Sequence, residues 1–132
     1  MSDPDPNEHI TKYFTRKEIA CRCGCGFCDP TSELKQLLDA IRTALGSPLF
    51  ATSICRCPKH NAEVGGVPNS YHTQGMAADV CVPGMKLLDL LRLIRKTMDQ
   101  LYGVRKGGIG YYYQQKFIHI DNRPMRTYWT EK

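Results

Sequence analysis

Apolar residues recur along this chain in two rhythms, one helical and one strand-like. Leu34, Leu37, Leu38, Ile41 and Leu45 fall at helical spacing and form one stripe of an amphipathic helix. Asp29 can cap that helix with Pro30 at its first position, and Gly46 can end it. A second helix is predicted from about Met85 to about Leu101, carrying Leu87, Leu88, Leu91, Ile94, Met98 and Leu101. Between the helices, Leu49 to Ser53 and Ala77 to Val82 read as short strands, the second stopped by Pro83-Gly84. Pro58 to Val64 is a loop or a short helix, broken by Gly65, Gly66 and Pro68. After Gly107, Gly108 and Gly110 a hairpin is predicted, with strands Ile109 to Tyr113 and Lys116 to Asn122 and Gln114-Gln115 near its turn. The pattern is α+β: a small antiparallel sheet packed by two main helices, one domain over residues 13–132. Residues 1–12 read as a loose polar arm in which Pro4 and Pro6 prevent regular structure.

Composition narrows the class without choosing a function. At 132 residues the chain is one domain by length and can bury a core without staples. A formal charge of +5 favours an anionic partner such as a cell wall, a nucleic acid or a membrane surface. The basic residues are scattered rather than gathered into a patch, so no nucleic-acid partner is expected. The start, MSDPDPNEH, lacks the basic and apolar segments of a signal peptide, and no apolar run approaches the roughly 20 residues of a membrane helix. The expectation is a soluble monomer, without a membrane partner, made in the cytoplasm and acting outside it only if released.

The segment with the most chemistry is Ser70-Tyr71-His72-Thr73-Gln74-Gly75-Met76-Ala77-Ala78-Asp79. His72 can sit on a loop and Asp79 on the strand that the loop enters, with Gly75 turning the backbone between them. An imidazole nitrogen and a carboxylate oxygen are suitable zinc ligands. A third ligand is available in Phe117-Ile118-His119-Ile120-Asp121, where His119 and Asp121 point to the same face of a strand. Two histidines and one carboxylate leave a fourth position for water, the arrangement of a catalytic zinc. On spacing alone, His72 reads equally well as a loop residue and His119 as a satisfied sheet histidine.

The set Ser70, His72, Gly75, Ala77 and Asp79 resembles the zinc motif of the D-alanyl-D-alanine carboxypeptidase family. That family includes peptidoglycan endopeptidases and has the Hedgehog signalling domain as a structural relative. Other segments resemble it in the same order: Phe14-Thr15 through Glu18-Ile19-Ala20, then Thr52 to Pro58 with Asn61, Gly65 and Gly66. Gly108 to Tyr112, Phe117 to Asp121 and Trp129 follow, so the likeness covers roughly residues 13 to 130. The resemblance implies a Hedgehog-like fold, one catalytic Zn2+ held by His72, Asp79 and His119, and hydrolysis of peptidoglycan stem peptides by a carboxypeptidase or endopeptidase. It also implies Arg56 as the anchor for a substrate carboxylate or carbonyl, since its planar fork suits bidentate pairing. Ser70 would bind substrate or brace the loop. Small size and the absent signal peptide suit a phage or prophage lysis enzyme.

The likeness weakens at the proton acceptor that hydrolysis needs. Many members carry an acidic residue or a histidine shortly before the last zinc ligand, where this chain has Gln114, Gln115 and Lys116. Asp121 is the candidate catalytic base, with an orienting role toward a ligand imidazole, or a pairing with Arg123, as the alternative. Glu63 is a poorer candidate on an exposed turn. Without a base, the competing function is a zinc-binding module that does not turn over. Of the seven cysteines, Cys21, Cys23, Cys25 and Cys28 form a C-x-C-x-C-x-x-C run. Four thiolates can hold a structural zinc, with Cys55 or Cys57 as distant ligands. Alternate cysteines in one short loop close a tetrahedron poorly, however, so free thiols or one or two disulfides are preferred. Cys81 is expected to be a buried core thiol.

Overall fold

The computed structural model describes residues 4–131. Its first helix falls within the stretch from Phe14 to Ala20. Helix α1, Arg16–Ile19, opens with a capping box in which Glu18 accepts the Thr15 N–H at 2.9 Å. Helix α2, Ser32–Leu45, buries Leu34, Leu37, Leu38 and Ile41, as the periodicity predicts, and ends on Gly46 in the left-handed region. Its cap differs from the prediction. Thr31, not Asp29, accepts the Leu34 N–H at 3.2 Å, and Pro30 stands outside the helix. Asp29 is drawn elsewhere, its carbonyl lying where Gly75 passes.

Strand β1, Phe50–Ser53, leads through helix α3, Pro58–Glu63, and a single 3₁₀ turn, Tyr71–Gln74, to strand β2, Ala77–Cys81. Helix α4, Leu87–Tyr102, buries Leu90, Ile94, Thr97 and Met98. The stripe is rotated from the predicted one. Leu88 and Leu101 are exposed, and Leu90, one turn before Ile94, takes the core position. Strands β3, Gly108–Tyr112, and β4, Phe117–Asp121, form the expected hairpin.

A fifth strand, β5, Thr127–Glu131, is additional to the predicted elements and pairs parallel with β3. The sheet order is β1-β2-β4-β3-β5, with the other three pairings antiparallel. The run Thr127-Tyr128-Trp129-Thr130 is rich in aromatic and β-branched residues, a strand signal. One face of the sheet presents Ala78, Val80, Ile109, Ile118 and Ile120 to the core residues of α2 and α4. Residues at alternate positions, Asp79 on β2 and His119 on β4, therefore face the other way. That second face carries the chemistry.

The predicted arm over residues 1–12 is partly tied down. His9 bridges Thr15, the Ile10 N–H donates to the Phe14 carbonyl at 2.9 Å, and Thr11 donates its hydroxyl to Asp39 at 2.7 Å. Residues 1–3 of that arm lie outside the described residues.

Candidate metal centre

Five residues stand in register across the sheet: Ser53, Asp79, His119, Gly110 and Trp129. Directly opposed residues of adjacent strands share a face, so this rung lays a carboxylate beside an imidazole without any loop having to bring them together. His72 arrives from the 3₁₀ turn. Ser70 caps that turn by accepting the His72 N–H at 3.2 Å. Gly75 closes it at φ 68°, and a Cβ there would lie 2.0 Å from the Asp29 carbonyl oxygen, so only glycine lets the chain pass into β2.

His72, Asp79 and His119 each offer one ligand atom, and these atoms lie within 4.8 Å of one another. His72 Nε2 is 3.2 Å and His119 Nδ1 is 3.0 Å from the same oxygen, Asp79 Oδ1. The far nitrogen of each ring is engaged. His72 Nδ1 is 2.9 Å from the Ile54 carbonyl, and His119 Nε2 is 2.8 Å from Asp121 Oδ2. Both of those partners are acceptors, which places the ring proton on the far nitrogen and leaves the lone pair of the near one aimed at Asp79. Two imidazole lone pairs and a carboxylate converging on one buried point is a donor set that fits a borderline cation such as Zn2+. Burial works against ionising Asp79, but the two imidazoles beside it outweigh that and hold the carboxyl well below the usual carboxylate range. Burial likewise lowers His119, and its contacts with Asp121 and Asp79 more than reverse that, raising it.

Asp121 faces the far nitrogen of the His119 ring. It is fully buried and sits across the His119 ring from Asp79. Its oxygens also accept from the Arg123 guanidinium at 2.7, 2.8 and 3.1 Å and from the Arg123 N–H at 3.0 Å. Burial raises its pKa, and the His119 and Arg123 hydrogen bonds bring it down to about 2. The shared strand face predicted from period-2 alternation is real, but the Arg123 fork claims the carboxylate. Glu63 stands 3.8 Å from His60 on α3, and Gln115 and Lys116 line a different hollow with Met85 and Leu87.

The three residues open onto a cleft of about 510 Å³. Arg56 lines it, donating to Asn61 at 2.9 Å and to Ser53 at 3.1 Å, with Asp79 Oδ2 3.9 Å away. Ser70 lines it too. The opposite wall is aromatic. Tyr112 stacks on Phe117 at 4.4 Å between centroids, and Trp129 donates its indole N–H to the Tyr112 hydroxyl at 3.0 Å. Arg123 lies 4.7 Å from the centroids of both Tyr71 and Trp129, and Trp129 lies 5.2 Å from His119. Arg123 and the aromatic wall have no predicted binding role in the sequence reading. The spacing Asp121-x-Arg123 at the end of β4 was the available signal for the first.

About half of the chain is similar to known proteins. Over 64 residues, 48% of this chain, it is 38% identical to the probable peptidoglycan L,D-endopeptidase MepK of Haemophilus influenzae. Over 62 residues, 47% of the chain, it is 40% identical to the peptidoglycan L,D-endopeptidase MepK of Escherichia coli K12. These matches span 31% and 30% of the relatives' own lengths. The family model described as peptidase M15 matches residues 12–121, which take in His72, Asp79, His119 and the cleft residues other than Arg123 and Trp129. With the α+β fold and the converged donor set, that match shows that the chain belongs to the peptidase M15 family.

Proposed function

We propose that this chain is a zinc-dependent peptidase that cuts a stem peptide of bacterial peptidoglycan, acting within the peptide as an endopeptidase. The observation that carries the reading is the convergence of His72, Asp79 and His119 on the floor of an open cleft. The names of the MepK relatives supply the polymer and the endo mode of cleavage. Zn2+ bound by those three residues would supply Lewis acidity toward a peptide carbonyl and make a water acidic enough to ionise near neutral pH.

The protein's own groups do the rest. Arg56 presents its guanidinium to the cleft while Ser53 and Asn61, both neutral, fix its orientation. A substrate carboxylate or carbonyl is a natural partner for that fork. Tyr112, Phe117 and Trp129 give the peptide an apolar wall. Ser70 braces the turn that carries His72. Asp121, neutralised by Arg123, keeps the His119 ring in one tautomer and one orientation. It is a positioning residue. Membership of a peptidase family does not favour the alternative of an inert zinc-binding module.

The test is digestion of purified peptidoglycan followed by mass spectrometry of the muropeptides. New termini within the stem peptide are expected, lost on chelation, restored by zinc and absent from His72→Ala. Products that survive in His72→Ala, or with chelator in excess, would remove the site from the reaction.

A further inference from the structure

Four thiols outside the cleft meet at one point. The Sγ atoms of Cys21, Cys23, Cys25 and Cys57 all lie within 4.8 Å of one another. Cys21 and Cys23 are 3.4 Å apart, and Cys23 and Cys57 are 3.6 Å apart. Four sulfurs around a zinc ion at about 2.3 Å stand about 3.8 Å from each other in a tetrahedron. The observed separations are close to that figure and far longer than a disulfide's roughly 2 Å. All seven cysteines are free thiols in the structure.

Alone, three alternate cysteines in one short loop close a tetrahedron poorly. The fold brings Cys57, 32 positions further along the chain than Cys25, to join them. The loop itself curls at Gly24 and Gly26, at φ 83° and 90°, conformations that glycine adopts without strain. Two of the sulfurs also receive backbone N–H groups, from Cys57 to Cys21 at 3.4 Å and from His60 to Cys57 at 3.4 Å. Such donors stabilise thiolate charge. The remaining cysteines stand apart. Cys55 is buried in the core, Cys28 packs against it, and Cys81 is half-buried at the end of β2 rather than in the core.

From this geometry we infer that Cys21, Cys23, Cys25 and Cys57 bind a structural zinc ion, separate from the His72–Asp79–His119 site. Four protein ligands leave no open position, so the site is closed to substrate and serves the fold. Its place in the chain gives it a purpose. Cys57 adjoins Arg56, whose N–H donates to the His72 carbonyl at 3.1 Å, and Ile54 in the same segment accepts from His72 Nδ1. Residues 54–57 thus touch the cleft through Arg56 and Ile54 and the thiol cluster through Cys57. An ion there pins the back of the shelf on which the substrate anchor stands.

Metal counting by plasma mass spectrometry on the reduced full chain, with cobalt substitution, tests this. Two zinc ions per chain are expected, falling to one in the Cys23→Ser/Cys25→Ser double variant and to one in His72→Ala. The cobalt-loaded wild-type protein should show intense thiolate-to-cobalt charge-transfer absorption in the near ultraviolet. His72→Ala should keep that band and the double cysteine variant should lose it. One ion per chain with the band present would keep the thiol site and remove the catalytic one. A wild-type cobalt protein without the band, or an intact mass short of the hydrogens lost to disulfides, would overturn the assignment without depending on any variant that fails to fold.

Discussion

Asp121 shows how far a single residue's role can be read before its partners are known. Alternation along β4 places it on the face of His119, and the structure agrees. What alternation does not reveal is that Arg123, two residues on, folds its guanidinium back over the same carboxylate. The resulting group is buried, paired and turned away from Asp79, which supports the orienting role proposed for it. Removing it should therefore weaken metal binding. Asp121→Ala is expected to lower zinc affinity by roughly 10- to 100-fold in a competition titration with a chromophoric chelator, the size typical of lost outer-shell partners. A proton acceptor would leave that affinity unmoved while turnover collapsed. The same substitution strands the Arg123 charge, and breaking a buried pair costs about 3–5 kcal/mol, which thermal unfolding would register. His72, Asp79 and His119 were legible as a group because several motifs in order resemble a known family, where spacing alone left each of them open. The pairing of Arg123 with Asp121 was legible as one alternative, while its contacts with Tyr71 and Trp129 were not, because they depend on a side-chain path that no spacing encodes.

Among the elements, the helices were the most legible and their faces less so. The α2 stripe was predicted at Leu34, Leu37, Leu38 and Ile41, with Leu45 only half-buried, while its cap moved from Asp29 to Thr31. The Thr31 N–H is taken by the Gly75 carbonyl at 2.8 Å, so the helix begins after that contact rather than at the proline. In α4, leucines at 87, 88, 90, 91 and 93 leave several stripes open to a periodicity argument. Only docking on the sheet selects one, and it selects Leu90, Ile94 and Met98. Denaturant unfolding can check that choice. Leu90→Ala should cost about 2–5 kcal/mol, as buried leucine truncations do, and Leu88→Ala should stay within about 0.5 kcal/mol. Equal losses at the two positions would mean that the helix packs in another rotation. β5 is the element the hydrophobic pattern missed, since its burial alternates only weakly along a strand at the sheet edge.

Seen whole, the molecule is a sheet with a greasy side and a chemical side, and both clusters of donor side chains lie around the segment joining β1 to α3. The α+β class was legible because two long amphipathic stretches flank short strands. The parallel β5 and the thiol cluster were not, since each depends on residues far apart in sequence meeting in space. Ions that bind only the folded chain stabilise it by mass action. Each ion present at 100 times its dissociation constant adds about 2.7 kcal/mol. Excess chelator should accordingly lower the melting temperature by roughly 10 °C per ion for a domain of this size, reversibly on adding zinc. A melting curve indifferent to chelator would argue that neither group holds metal. The rung across the sheet has one more implication. It ends at Trp129, the chain's single tryptophan, whose ring lies 5.2 Å from that of His119 and edges the cleft. The protein thus carries its own fluorophore at the mouth of its chemistry, so the arrival of an ion or a peptide can be followed by emission from the native chain, without a label.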